Sequence, residues 1–131
     1  MSDRLLATGK THNVSGKAGS ARSDDGWLDV QISDPHPAAE KLFGAAWSAC
    51  FMGAIQLAAQ QQKIALPTPP YIDAEIDLNH GDGGFFLRAR LNVTIPDIAH
   101  EEAQAIVQAA HQICPYSKAT RGNIDVTITV I

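Results

Sequence analysis

Apolar and polar residues alternate in four stretches of the chain. Leu28, Val30 and Ile32 alternate with Asp29 and Gln31, and Ile72, Ala74, Ile76 and Leu78 with Asp73, Glu75 and Asp77. Phe85, Leu87, Ala89, Leu91, Val93 and Ile95 are interleaved with Arg88, Arg90 and Asn92. Ile124, Val126, Ile128 and Val130 alternate with Asp125, Thr127 and Thr129. A period of two predicts half-buried strands. Residues 4–14 alternate more weakly and are expected to form a first strand, followed by a loop at 16–20 and a hairpin turn at Asp25-Gly26. The turn-rich run from His80 to Gly84 joins the two middle strands into a hairpin, with arginines opposite carboxylates on the wet face.

Two stretches follow a helical period instead. In residues 38–63, Leu42, Phe43, Phe51, Ala54, Ile55 and Ala58 recur at i, i+3, i+4. Gly44 and Ser48 interrupt this pattern. It predicts a short helix to about Ala46 and a fresh start at Ser48, a good N-cap type. Pro35 and Pro37 lead into it, since proline is tolerated in a first turn. In the second stretch, Asp97 is the expected cap and Glu101 and Glu102 sit where negative charge is favoured. Its apolar stripe is Ala103, Ile106, Val107, Ala110 and Ile113, and Pro115 ends it at Cys114. The order strand–strand–helix–hairpin–helix–strand reads as α+β, with helices laid on an antiparallel sheet.

A chain of 131 residues is expected to fold as one domain, 1–131, and to leave enough apolar surface for dimerisation. With 10 basic against 14 acidic residues, it lacks the basic balance of a general nucleic-acid binder. No apolar run approaches the roughly 20 residues of a membrane span, so no membrane partner is expected. Leu5-Leu6-Ala7 is too short for a signal peptide, which makes the cytoplasm the expected location. There, two cysteines read as free, catalytic or redox-active rather than as a permanent staple.

If Ser48 caps a helix, Cys50 lies in its first turn, where unsatisfied N–H groups favour thiolate. The competing reading is an ordinary buried cysteine on an apolar helix. A thiolate attacking a hydroperoxide becomes a sulfenic acid, and a second thiol nearby can condense with it. Cys114 could be that thiol only if tertiary structure brings the two alpha carbons within about 7 Å. Glu40 is the charge expected to act near Cys50. On one unbroken helix it would stand about 15 Å from Cys50 along the axis, and a break at 44–48 could fold it back. On residues alone, a solvated first-turn carboxylate is the simpler reading of Glu40. A bare carboxylate would raise a thiol's pKa, so a cation is needed with it. Lys17, Arg22 and Arg121 are candidates, each also readable as a surface cation. His111 precedes Cys114 by three positions and either shares its helix face or packs. The five histidines have no ligand spacing, and no phosphate loop or nucleophile elbow is present.

Three segments together carry a resemblance: residues 110–126 (AHQICPYSKATRGNIDV), 40–51 (EKLFGAAWSACF) and 23–30 (SDDGWLDV). The chain resembles the organic hydroperoxide resistance proteins, a branch of the superfamily named for osmotically inducible protein C. The resemblance implies antiparallel sheets packed on two long central helices in an intertwined homodimer, with active sites at the subunit interface. It implies a thiol peroxidase acting on organic, including fatty-acid, hydroperoxides, with no bound cofactor and recycled by a dithiol such as a lipoylated protein. Cys50 matches the peroxidatic cysteine, Cys114 the resolving one, and Glu40 the glutamate that pairs with an active-site arginine. Gap-free counting puts Lys17 at that arginine's place, keeping the charge without the bidentate fork. Arg22 substitutes only if the loop is rearranged. The loop before the helix is shortened to residues 33–37. The rival from another class is a non-enzymatic redox sensor or a binder of a small apolar ligand.

Overall fold

In the computed structural model, residues 3–33 and 35–131 are described, the side chains of residues 35–37 aside. Of the short connector expected at 33–37, only residue 34 lies outside the described residues, and the backbone of 35–37 already belongs to the first helix. The chain divides into two compact units, Met1–Ala39 and Glu40–Ile131.

The first unit is a three-stranded antiparallel sheet of β1 (Thr11–Val14), β2 (Ser20–Ser23) and β3 (Asp29–Gln31), in that order. The first strand is shorter than the 4–14 expected: only its last four residues pair, Thr11 opposite Ser23 through Val14 opposite Ser20. The loop between β1 and β2 needs glycine at position 19. A Cβ there would stand 2.8 Å from the Val14 carbonyl oxygen and 2.9 Å from that of Gly16. The Asp25-Gly26 turn forms as expected. Ser23 donates to Asp25 Oδ1 at 2.6 Å, and the Leu28 N–H donates to Ser23 Oγ at 2.9 Å.

The second unit is built on α1 (Pro35–Gln61), from Glu40 onward. The helix does not break at residues 44–48. Gly44 is buried against β4, where an added Cβ would touch Ile76 Cγ1 at 3.4 Å and Ala74 Cβ at 3.5 Å. Its small size serves close packing on the sheet, and the alanines around it sustain helix. Ser48 is buried inside the helix rather than capping one. Trp47, Phe51, Ile55 and Ala58 form the buried face. At the other end Lys63 turns left-handed (φ 58), with Lys63 N–H bonded to Gln60 O and Ile64 N–H to Ala59 O. This is a Schellman ending made without glycine. By length and composition the Ala38–Gln61 part of α1 is long and apolar enough to cross a membrane, which corrects the expectation that no stretch reaches that length. Alanines contribute much of that apolar character; Ala54, Ala58 and Ala59 are buried in the core, while Ala45, Ala46 and Ala49 are exposed.

The long hairpin β4 (Tyr71–Gly81) and β5 (Gly84–Thr94) has the expected register, with Glu75 opposite Arg90 and Asp77 opposite Arg88. Arg90 grips both acids, Asp77 through two bonds of 2.7 Å and Glu75 through one of 3.1 Å. Arg88 turns instead toward Asp125 on the far side, at 3.5 Å. Next come α2 (His100–Ile113), a short α3 (Pro115–Thr120) and β6 (Asp125–Val130). The N-cap of α2 is Ala99, not Asp97. Asp97 has φ 62, and its carboxylate accepts a bond from the Thr68 hydroxyl instead. Glu101 and Glu102 lie in the first turn as expected.

The sheet order is β4-β5-β6, and β6 runs parallel to β5. This corrects the all-antiparallel expectation. The chain returns through α2 and α3 before laying down β6, and a crossover of that kind delivers a parallel neighbour. The core lies between α1, α2 and the sheet, and includes Ile106, Val107, Leu91 and Val93. The architecture is α+β, with one antiparallel and one mixed sheet.

Candidate active site

Cys50 is the sixteenth residue of α1, not a member of its first turn. It is half-buried beside Phe51 and Trp47, which point into the core. Cys114 stands where two helices meet. It is the C-cap of α2 and the N-cap of α3, with φ −63 and ψ 120. Pro115, with no N–H to donate and with steric pressure on the preceding residue, enforces that break. The Cys114 N–H still reaches the Ala110 carbonyl at 2.8 Å, and its side chain is fully buried.

The fold brings the two sulfurs together: Cys50 Sγ lies 3.1 Å from Cys114 Sγ, with both thiols free. A disulfide needs about 2.05 Å, so closure asks for a movement of about 1 Å. A second link runs beside the first. Trp47 Nε1 donates to Ser117 Oγ at 3.2 Å, with both side chains buried. The backbone N–H of Tyr116 also bonds to Cys50. Within this unit the Cys50 thiol is pushed up from its usual 9.0. Burial is the main cause and the neighbouring Cys114 thiol the next, while the Tyr116 N–H acts the other way. The helix-start activation expected from sequence is therefore absent, because α1 begins at Pro35.

Glu40 is also corrected. It lies past the first turn of α1 and is only 9 % exposed, so it is not a solvated first-turn carboxylate. Because the helix is unbroken, about 15 Å of axis separates it from Cys50 of the same chain. With Lys41, Gly44, Ser48, Ile72 and Ile76 it lines a cavity of about 500 Å3 between α1 and β4. Lys17 and Arg22 belong to the first unit. Lys17 is exposed in the β1–β2 turn, and Arg22 is paired with Asp29 at 3.0 Å. Arg121 Nη2 donates to the His111 carbonyl at 2.5 Å, tying the end of α3 back to α2.

His111 packs its ring against Phe51, with centroids 6.4 Å apart, and leaves a buried Nδ1 without a hydrogen-bond partner. Burial, then the Arg121 guanidinium, holds it below its ordinary 6.5. Among the described residues, no three His, Cys, Asp or Glu gather as a metal site. Sequence reasoning missed the Trp47–Ser117 pair. Its signal is positional: Trp47 precedes Cys50 by three residues, and Ser117 follows Cys114 by three.

The profile of the OsmC-like protein family matches residues 32–129. The chain is 38 % identical to the organic hydroperoxide resistance protein of Xanthomonas axonopodis pv. citri, over 98 % of this chain and 96 % of that one. The crystal structure of the organic hydroperoxide resistance protein OhrB of Bacillus subtilis superposes with a TM-score of 0.82 at 40 % identity, covering 97 % of this chain and all of that one. A second, from Elizabethkingia anophelis with thiocyanate bound, gives 0.86 at 36 % identity and 98 % coverage of both. The matches run through both cysteine-bearing helices and nearly the whole length, and on them the chain belongs to the OsmC-like family, in the branch of the organic hydroperoxide resistance proteins.

Proposed function

We propose that this protein is a cysteine-based peroxidase that reduces organic hydroperoxides, fatty-acid hydroperoxides among them, to alcohols. The observation that carries this reading is the 3.1 Å approach of Cys50 Sγ to Cys114 Sγ. The names of its relatives agree with it. The Cys50 thiolate attacks the terminal oxygen of the hydroperoxide. The O–O bond breaks, the alcohol leaves with a proton, and Cys50 becomes a sulfenic acid. The Cys114 sulfur then attacks the Cys50 sulfur, the S–O bond breaks, and water leaves. An external dithiol, such as a lipoyl group on a protein, reduces the disulfide and is itself oxidised. The cycle calls on no metal or prosthetic group.

The thiolate must be stabilised from outside the groups described around Cys50, since burial there works against it. Glu40 and Lys17 are the proposed pair. With Glu40 held about 15 Å away along its own helix, the reading requires a homodimer in which Glu40 of a second copy reaches Cys50. The protein is read as cytoplasmic. The decisive test is steady-state consumption of cumene hydroperoxide with dihydrolipoamide as reductant. The parent is expected to turn over and Cys50→Ser to fall to background; full turnover by Cys50→Ser overturns the mechanism. The raised Cys50 thiol favours one second reading, a redox sensor. A single slow oxidation without recycling in the same assay selects it.

A further inference from the structure

Two side-chain links join α1 to the segment after α2, and they share one geometry. Cys50 meets Cys114 at 3.1 Å, and Trp47 Nε1 meets Ser117 Oγ at 3.2 Å. Trp47 lies three residues before Cys50, and Ser117 three after Cys114, so the second link repeats the first one turn away along antiparallel segments. On the α3 side the Tyr116 backbone N–H also bonds to Cys50, at the sulfur itself, whereas the Trp47–Ser117 bond holds the segment one turn away. Thr120 bonds only to carbonyls of its own turn, and Arg121 bonds to the end of α2. The indole N–H is the side-chain donor that reaches across from α1. It is fully buried, so breaking its bond would leave a polar group with no water to turn to.

We infer that Trp47 and Ser117 are positioning residues for disulfide closure: their hydrogen bond holds the α2–α3 joint so that Cys114 faces the Cys50 sulfur once that sulfur has been oxidised. The inference rests on the peroxidase reading and deepens it. Neither residue touches the hydroperoxide's reacting atoms in this role. The step they serve is the second one, where the Cys114 sulfur displaces hydroxide from the Cys50 sulfenic acid, its proton completing the water that leaves. A buried tether three residues from each sulfur restricts the approach to the short path already set up. Misplacing a reacting group by about 1 Å can cost up to a hundredfold in rate.

The test uses the full-length reduced protein, one equivalent of cumene hydroperoxide, and rapid quench with and without dimedone. Intact mass separates disulfide from dimedone-trapped sulfenic acid. Ser117→Ala and the double variant Trp47→Phe/Ser117→Ala are compared with the parent. Both are expected to close the disulfide at least tenfold more slowly from the sulfenic acid, with a matching rise in the trapped fraction. The double variant removes donor and acceptor together, so it leaves no orphaned buried polar group; the smaller ring lowers its melting point, and a cooperative melt above the assay temperature is expected. That separates a lost tether from a lost fold, and closure is timed apart from peroxide attack, so a change in the pocket is read elsewhere. Closure at the parental rate in the double variant overturns the inference and leaves the peroxidase reading standing. A parent that yields neither disulfide nor adduct overturns both.

Discussion

The two cysteines occupy opposite kinds of site. Cys50 is embedded in the middle of an unbroken helix whose backbone is fully committed, yet its side chain is half-exposed. Cys114 is at a joint, where the backbone leaves one helix and enters another, yet its side chain is fully buried. One sulfur is mounted in mid-helix with an open face; the other is mounted at a helix junction with a closed face. A reagent from solution meets Cys50 first. On the proposed peroxidase reading, attack and resolution are divided by backbone setting.

The largest effect that would break this contrast is removal of the buried partner. Cys114→Ser is expected to keep the first oxidation of Cys50 and to lose recycling by dihydrolipoamide, so that one equivalent of peroxide is consumed and turnover drops to background. Continued turnover would mean that Cys50 needs no buried counterpart. A smaller effect concerns the open face. Within its own unit the Cys50 thiol is pushed above 9.0 by burial, and thiolate appears only as pH rises toward that raised value. If Lys17 supplies the missing cation, the midpoint for iodoacetamide alkylation of Cys50 in the parent lies below 9.0. Lys17→Met would move it up by about one unit, slowing alkylation at neutral pH roughly tenfold. Equal midpoints would remove Lys17 from the site.

The smallest effect probes the closed side. His111 is held below 6.5, so on acidification the unfolded chain binds its proton before the folded chain does. This contribution to stability is fully present above about 6.5 and is lost as pH falls through the lowered folded value. Urea midpoints measured from pH 7.5 down to 5 should therefore decline less steeply in His111→Gln than in the parent. Identical slopes would show that the imidazole is not desolvated.

The hairpin was legible because its information is local. Alternation sets the face, the glycine turn sets the register, and Glu75 then falls opposite Arg90. The unbroken helix was not, because Gly44 and Ser48 are breakers by local chemistry, and what overrides them is packing against β4 and burial. That one misreading displaced two others, the first-turn activation of Cys50 and the folding back of Glu40. Asp97 failed as a cap because a residue far along the chain, Thr68, takes its carboxylate. The direction of β6 depends on where a crossover lands, which no periodicity records. For the site, the motifs pointed to both cysteines, but the spacing of residues in the chain could not bring them together, and the Trp47–Ser117 pair becomes visible only once they meet.

The parallel seating of β6 has a consequence for the order in which this molecule assembles its parts. A parallel neighbour cannot zip up from a tight turn; its partner strand must wait while the intervening helices find their places, at the entropic cost of closing a long loop. Cys114 sits on that detour. A nascent or partly unravelled polypeptide thus carries two separate thiols, and docking of the α2–α3 joint on α1 is what sets them 3.1 Å apart.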